Sequence, residues 1–292
     1  MKKRVLVTGA AGKIAGQVLP ALRERYDLTL LDVRTTDRDG QHMTDVQIAD
    51  LVDGDRDAYR HHFKDIDAVA HFGHMGSTNP AGSGQDARFR AEMQNVEMAY
   101  NIYRVALEEG VERVVMASSN HAADYYESLI LDGEMDCVDP NSRAQSDNYY
   151  GWAKETYEHL GFVFAVGKGN DRPLPNVQIR IGGPRETDVG ACTMGDLRCM
   201  RRALAAYLSA RDMQQLFVKS IETEDIADVR GVSFQIFYGI SDNPHAFWSI
   251  ANARQVIGYA PEDNSERRFA DIIARHLAVA QERDGYPEQE NG

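Results

Sequence analysis

The chain alternates short apolar runs with longer segments whose apolar residues recur every three or four positions. The run Val5-Leu6-Val7 predicts a buried strand, and the spacing from Ile14 to Leu22 predicts one face of a helix directly after it. Strands that alternate with helices in this way predict a doubly wound, mostly parallel α/β sheet. The same patterns predict strands at 28–31, 66–72, 114–116, 177–181 and 235–238, and helices at 87–109, 149–166, 197–208 and 248–257.

The chain has 292 residues, which is enough for one large α/β domain with a small appendage. Its formal net charge of −13 argues against nucleic acid or an anionic membrane as the main partner, because both attract basic surfaces. No stretch of the sequence is long and apolar enough to span a bilayer. We therefore expect a soluble, cytoplasmic protein.

The cysteines fit the same expectation. Cys137, Cys192 and Cys199 are odd in number and show no CxxC spacing, so we expect free thiols in a reducing compartment. The histidines and acidic residues form no set at metal-ligand spacing. We therefore expect no metal site.

A glycine-rich turn lies between the first predicted strand and the first predicted helix. Its sequence, TGAAGKIA, contains Gly9 and Gly12, and Lys13 and Ile14 follow at the start of the helix. Glycine lets the backbone approach a pyrophosphate, whose negative charge is favoured at a helix N-terminus. The turn therefore predicts a dinucleotide site rather than an ordinary tight turn.

Residues further along the chain fit the adenosine end of a dinucleotide. Asp32 ends the second predicted strand, where a carboxylate accepts the ribose hydroxyls. That carboxylate repels a 2′-phosphate, so NAD is expected over NADP, although Arg34 is able to accept such a phosphate. We expect Asp50 and Leu51 to contact the adenine.

The candidate catalytic residues come from two separate segments. Tyr150 and Lys154 are four residues apart in YGWAK, so they share one face of the predicted helix. The lysine charge favours the phenolate and makes the tyrosine a usable base. Ser119, from another segment, is placed to hydrogen-bond the same substrate oxygen, and Asn95 is expected to support the cofactor site through a water or the backbone. With the dinucleotide turn, this set predicts hydride transfer.

The strand–helix alternation changes after Gly182. We interpret 1–182 as a Rossmann dinucleotide-binding core, 183–280 as a small substrate-side segment interleaved with it, and 281–292 as a polar tail. The acidic stretch 122–147 is expected to be a loop. Arg198, Arg201 and Arg202 lie in this second segment, and they form either a clamp for a carboxylate, phosphate or sulfonate or a solvated basic face.

Taken together, these motifs resemble the extended short-chain dehydrogenase/reductase superfamily over nearly the whole chain. His71-Phe72-Gly73 stands where that superfamily usually has Asn-Ala-Gly. The segments ASSNH at 117–121, RIG at 180–182 and YGISDN at 238–243 resemble the uronate dehydrogenase group within it. The last of these is also similar to haloarchaeal NAD-dependent glucose-6-phosphate dehydrogenases, and sulfoquinovose dehydrogenases are a related activity.

The resemblance implies NAD-dependent oxidation of the anomeric C1 hydroxyl of a cyclic hexose to the lactone. The implied substrate is a small anionic sugar with a carboxylate, phosphate or sulfonate at C6. Phe72 and Gly73 are implied as part of the cofactor site. A homo-oligomer is expected, because this superfamily often pairs through the helix that bears Tyr150. The substrate contacts that the resemblance implies are Ser77, Ser119, Asn120, His121, Tyr150 and Arg202.

The chain departs from the uronate dehydrogenase pattern at Gly183, where that group has serine, and in the longer segments 167–175 and 184–200. Two alternatives stay open. One is a nucleotide-sugar epimerase or dehydratase, although Asn120-His121 stands where a dehydratase would have acidic residues. The other is a redox-sensing binding protein without chemistry, although such proteins can lose the Tyr–Lys pair that is intact here.

Overall fold

The computed structural model describes residues 2–76 and 84–284 and confirms the predicted fold class. Within these residues, seven strands form one sheet in which every neighbouring pair is parallel, in the order β3-β2-β1-β4-β5-β6-β7. The strands are β1 (Arg4–Thr8), β2 (Asp27–Asp32), β3 (Val46–Ile48), β4 (Ala68–His71), β5 (Arg113–Ser119), β6 (Asn176–Ile181) and β7 (Phe234–Gly239).

Helices cover both faces of the sheet, as parallel strands require. Along β1, Val5 and Val7 enter one core while Leu6 enters the other, because successive side chains point to opposite faces. The helices are α1 (Lys13–Arg25), α2 (Asp57–Arg60), α3 (Gln85–Glu108), α4 (Tyr125–Leu131), α5 (Tyr149–Val166), α6 (Thr187–Gly190), α7 (Leu197–Ala206), α8 (Ala210–Glu222), α9 (Ala251–Ile257), α10 (Ser265–Arg268) and α11 (Ala270–Asp284).

Helices α1 and α8 pack on one face of the sheet, and α3 and α5 pack on the other. Helix α5 carries two of the candidate catalytic residues, Tyr150 and Lys154, and it packs against α3. Tyr103 of α3 stacks on Phe164 of α5, with ring centroids 5.2 Å apart. This aromatic contact helps hold α5 at a fixed height above the sheet.

Several element boundaries differ from the sequence-based expectations. The stretch 122–147 is not all loop, since it contains α4, and strand β3 lies in a region where no strand was expected. Helix α9 starts at Ala251 rather than at 248, because Ser249 donates its backbone N–H to Val138 O at 2.9 Å and so keeps this segment extended. Helix α11 continues to Asp284, past the expected start of the polar tail.

The expectation of three free thiols is wrong. Cys192 and Cys199 form a disulfide with a Cα–Cα distance of 5.7 Å, and Cys137 is the free cysteine. Their sequence separation of seven gave no spacing signal, but the turn between α6 and the start of α7 brings the two side chains together. The disulfide lies in a small apolar cluster of its own, with Val189, Met200, Leu204, Tyr207 and Phe269.

The segment after Gly182 contributes both to the sheet and to this small cluster. Strand β7 pairs with β6 from Asn176↔Phe234 to Ile181↔Gly239, so the segment is interleaved with the core. The division at residue 182 stays a prediction. Within the part of the chain that the structure describes, no helix combines the length and apolar character needed to cross a bilayer.

Candidate active site

A cleft of about 950 Å³ opens along the carboxyl ends of the parallel strands. It runs from the turn after β1, past the end of β5, to the start of α5 and the exposed side of α7. Ligands of doubly wound sheets bind in this position, because the loops that follow the strands leave a crevice there. We therefore expect the predicted cofactor and catalytic residues to line this cleft.

The glycine-rich turn lies at the floor of this cleft. Gly9 has φ of +71°, and a Cβ at this position would collide with the backbone of Gly73. Gly12 precedes α1 and offers no side-chain cap, so the first N–H groups of the helix face the cleft without an internal acceptor. The turn therefore fits a dinucleotide pyrophosphate. Lys13, Ile14, Phe72 and Gly73 line the same cavity.

Asp32 lies where β2 ends, and its carboxylate reaches back to the turn. It accepts hydrogen bonds from the backbone N–H of Ala11 at 3.0 Å and from that of Arg34 at 3.3 Å. The Arg34 guanidinium donates in turn to Ala11 O at 3.2 Å. Asp50 and Leu51 also line this end of the cleft, where the Asp32 carboxylate lies between the turn and Arg34.

Tyr150 and Lys154 stand one turn apart at the start of α5. Asn148 caps the helix by accepting the N–H of Gly151 at 2.9 Å. Lys154 is buried and donates from Nζ to Ala117 O at 3.1 Å, and its Nζ lies 5.3 Å from the centre of the Tyr150 ring. A Cβ at Gly151 would collide with the backbone of His121, so glycine allows α5 to approach the end of β5 closely.

Ser119 ends β5 and lines the cleft with Tyr150 and Lys154. Its Oγ accepts the backbone N–H of His121 at 3.2 Å, which caps the short turn that follows the strand. The His121 ring lies 5.6 Å from the Tyr150 ring, and its Nδ1 lies 2.6 Å from Asp124 Oδ2. Burial raises the pKa of Asp124, but the hydrogen bonds from His121 and Asn148 and the charges of His121 and Arg202 together outweigh burial and leave this pKa below its usual range.

His74 lines the cleft, and no sequence pattern predicted a role for it there. Its ring meets the Tyr150 ring edge-on at 5.0 Å, and its Nε2 lies 3.8 Å from the carboxylate of Glu92. Burial and the nearby Lys154 charge lower the pKa of His74 to about 3, so the imidazole is neutral at physiological pH. Asn95 does not line the cleft; it holds the backbone N–H and C=O of Met75 at 2.7 and 3.0 Å.

Arg202 lines the far end of the cleft, but it is already paired. Its Nε and Nη2 donate to the two carboxylate oxygens of Glu127 at 2.9 and 3.1 Å. Asn120 is buried behind this pair and donates from Nδ2 to Glu127 at 3.1 Å, so it does not line the cleft. Glu127 was not predicted, since a charge pair 75 residues apart leaves no local pattern.

The structure thus brings most of the predicted set together. Ser77 lies outside the described residues, and Arg198 pairs with Asp132 on the surface at 2.6 Å rather than in the cleft. Among the described residues, no group of three or more histidine, cysteine, aspartate or glutamate side chains is arranged to hold a metal ion. The predicted residues that line the cleft are Gly9, Gly12, Lys13, Ile14, Asp32, Asp50, Leu51, Phe72, Gly73, Ser119, His121, Tyr150, Lys154 and Arg202.

Comparison with known proteins agrees with this arrangement. A model of the NAD dependent epimerase/dehydratase family matches residues 5–165. The NAD-dependent glucose-6-phosphate dehydrogenase of Haloferax volcanii is 30% identical over 283 residues, covering 91% of this chain and 95% of the relative. The uronate dehydrogenase of Pseudomonas syringae pv. tomato is 30% identical over 277 residues, covering 94% and 87%. A solved structure described as a mutated uronate dehydrogenase has a TM-score of 0.71 and 27% identity, covering 94% of this chain and 87% of its own.

The site and the fold define a dinucleotide-dependent enzyme of the extended short-chain dehydrogenase/reductase type. The chain belongs to the NAD-dependent epimerase/dehydratase family. The predicted resemblance to uronate and glucose-6-phosphate dehydrogenases, the enzyme class of NAD-dependent sugar dehydrogenase and the cofactor NAD are thereby confirmed.

Proposed function

We propose that this enzyme oxidises the C1 hydroxyl of a cyclic hexose that carries an anionic group at C6, giving the aldonolactone. The observation that carries the proposal is the convergence of Ser119, Tyr150 and Lys154 on the cleft that contains the glycine turn. The named activities of the relatives, on uronates and on glucose 6-phosphate, support the sugar and its anionic group.

The reaction needs a base, a positioned hydroxyl and a hydride acceptor. Tyr150, as the phenolate, removes the proton of the C1 hydroxyl while the C1–H bond breaks and the C1=O bond forms. Bound NAD supplies the acceptor of the hydride. Ser119 orients the hydroxyl, and the buried Lys154 ammonium stabilises the phenolate charge beside it.

The remaining residues position the two ligands. The turn at Gly9 and Gly12 holds the pyrophosphate, and Asp32 accepts the adenosine ribose hydroxyls. Asn95 acts through the backbone of Met75 rather than by direct contact. On the sugar side, the proposed contacts are Ser77, His121 and Arg202, while the buried Asn120 acts through its hydrogen bond to Glu127.

The decisive experiment measures NADH formation with glucuronate, galacturonate, glucose 6-phosphate, sulfoquinovose and glucose. We expect turnover of an anionic sugar, and a loss of about 10²–10⁴-fold in Tyr150→Phe, the size of a general base contribution. Tyr149→Phe is the matched control, since Tyr149 is the preceding residue, does not line the cleft and is 39% exposed. No turnover of any sugar, with stabilisation by a nucleotide sugar instead, would favour an epimerase or dehydratase. Full activity in Tyr150→Phe would refute the catalytic assignment.

The proposal includes a homo-oligomer in the cytoplasm. Phe89 of α3 packs against Tyr149 and Trp152 of α5 at the surface, with ring centroids 5.8 and 5.4 Å away. Val163 on the same helix is also exposed, so α3 and α5 offer an apolar face suited to a second copy. Measuring the molecular masses of wild type and Phe89→Glu by sedimentation tests this face. If the variant has the same mass as wild type, the result argues against an interface at this face.

A further inference from the structure

The far end of the cleft contains a guanidinium that is matched with an internal carboxylate. Glu127 of α4 accepts from both Nε and Nη2 of Arg202 of α7, at 2.9 and 3.1 Å. Asn120 holds the same carboxylate from behind at 3.1 Å. The side chains of Glu127 and Arg202 are 14% and 29% exposed, so water screens the pair only in part.

The pair occupies the Nε–Nη2 edge of Arg202, one of the edges through which a guanidinium binds an anion. A planar guanidinium recognises carboxylate and phosphate groups through two parallel N–H donors, and the Glu127 carboxylate accepts two such hydrogen bonds from Arg202. Two further carboxylates, Asp124 and Asp188, also act on Arg202, while Arg185 lines the same cavity. An anionic sugar substituent therefore meets a guanidinium whose charge is already compensated.

We propose that Glu127 is a specificity-determining residue: a built-in counter-ion of Arg202 that reduces the preference of the cleft for anionic over uncharged ligands. With respect to sugars, this inference rests on the proposed function. An anionic group binds Arg202 either by displacing Glu127 or through the three N–H donors that Glu127 leaves, two on Nη1 and one on Nη2. A neutral sugar at the same place leaves the pair intact.

The test replaces Glu127 by glutamine, which keeps the size and one acceptor for Asn120 but removes the charge. The quantity measured is the ratio of kcat/KM for glucuronate to kcat/KM for glucose. We expect this ratio to rise at least about tenfold in Glu127→Gln, carried by a lower KM for glucuronate, because Arg202 can then donate its charged hydrogen bonds to the uronate carboxylate. The double variant Glu127→Gln/Arg202→Met should lose this gain.

Asp132→Asn is the matched control. Asp132, directly after α4, pairs with Arg198 of α7, so it joins the same two parts of the chain, but both side chains are 52% exposed and neither lines the cleft. We expect the sugar ratio to stay unchanged in this control. If Glu127→Gln does not fold, Glu127→Asp is the second variant, because a side chain shorter by one methylene draws the carboxylate back from the Arg202 donors, and the sugar ratio should then rise to a smaller extent.

Binding of inorganic sulfate by calorimetry, with NAD at saturation, separates this inference from the proposed function. We expect Glu127→Gln to bind sulfate about tenfold more tightly than wild type, and the double variant to lose that gain. If no sugar is oxidised by either protein, the proposed function fails, and the sulfate titration still decides the role of Glu127. An unchanged sugar ratio with unchanged sulfate affinity, or a tighter sulfate site that persists without Arg202, would overturn the inference.

Discussion

Arg180 and Glu158 form a bidentate ion pair in which both side chains are buried. Arg180 donates from Nη2 to Glu158 Oε2 at 2.8 Å and from Nε to Oε1 at 3.0 Å, and Ser118 Oγ donates to the same carboxylate at 2.5 Å. The remaining terminal nitrogen of Arg180, Nη1, donates a hydrogen bond to the hydroxyl oxygen of Tyr238 of β7 at 3.0 Å. The network joins α5, which carries Tyr150, to β5, which ends at Ser119, and to β6 and β7.

Removing the arginine should leave a buried carboxylate with too few donors. We expect Arg180→Met to lower the free energy of unfolding by about 3–5 kcal/mol in urea titrations near neutral pH. The double variant Arg180→Met/Glu158→Gln should recover part of that loss. As a surface control, Arg23→Met breaks the half-exposed pair with Asp45 and should cost less than about 1 kcal/mol. Equal losses in the two single variants would contradict the role of the buried pair.

Cofactor choice should depend on the charge of Asp32. Asp32→Asn keeps an acceptor for the N–H of Ala11 but removes the negative charge that repels a 2′-phosphate. We expect the ratio of kcat/KM for NADP to that for NAD to rise about tenfold, equivalent to roughly 1.4 kcal/mol. Arg34 and Arg38 line the same end of the cleft, so Arg34→Ala in the Asp32→Asn background should reduce that gain. An unchanged ratio in Asp32→Asn would show that this carboxylate does not select the cofactor.

The fold was largely predictable from the sequence, because its signals are local. The apolar run at Val5, the turn at Gly9 and the spacing of Tyr150 and Lys154 each lie within one element and its neighbour. Short or marginal elements were missed for the same reason. Strand β3 has three residues, two of them exposed, so its pairing with β2 rather than its own pattern determines its structure.

The rest of the site depends on contacts between distant segments. Glu127 meets Arg202 across 75 residues, and His74 meets Tyr150 across the cleft. Neither contact has a spacing that a single sequence reveals. Asn95 was expected to act through a water or the backbone; its side chain hydrogen-bonds the backbone N–H and C=O of Met75, a partner that the sequence does not identify, and its support of the cofactor site stays a prediction.

The disulfide between Cys192 and Cys199 gives a direct chemical prediction. Denatured protein that has not been reduced should titrate one thiol, that of Cys137, whereas reduced protein should titrate all three cysteines of the chain. Three thiols without reduction would show that the bond does not form in the purified protein.

The disulfide between Cys192 and Cys199 should also stabilise the folded protein. In the chain-entropy model, closing a loop this short raises the free energy of the unfolded chain by about 2–3 kcal/mol. The double variant Cys192→Ala/Cys199→Ala should therefore lose roughly that much free energy of unfolding. Cys137→Ala, at an exposed position, is the control and should change stability by less than about 0.5 kcal/mol. A double variant as stable as the control would show that the bond adds nothing to the fold.

Stability should fall on mild acidification because His71 is buried as the neutral imidazole. Its Nδ1 lies 2.6 Å from Thr8 Oγ1, and burial together with the Lys154 charge lowers its pKa from 6.5 to about 3. Between these two values the unfolded chain binds the proton and the folded chain does not. Stability from this group is therefore complete above about pH 6.5 and is lost as the pH falls, by up to about 1.4 kcal/mol per pH unit.

His71→Asn tests this linkage, since the amide can replace Nδ1 beside Thr8 without titrating in this range. Wild type should lose free energy of unfolding between about pH 7.5 and about pH 5.5, and His71→Asn should lose about 1 kcal/mol less over the same interval. His74 keeps its own share of the slope in both proteins, because its pKa is also lowered to about 3. His245→Asn, at a position 77% exposed, should retain the wild-type slope. If His71→Asn lost as much free energy of unfolding as wild type over this pH interval, His71 would have to be protonated in the folded protein. Its burial would then not keep it neutral.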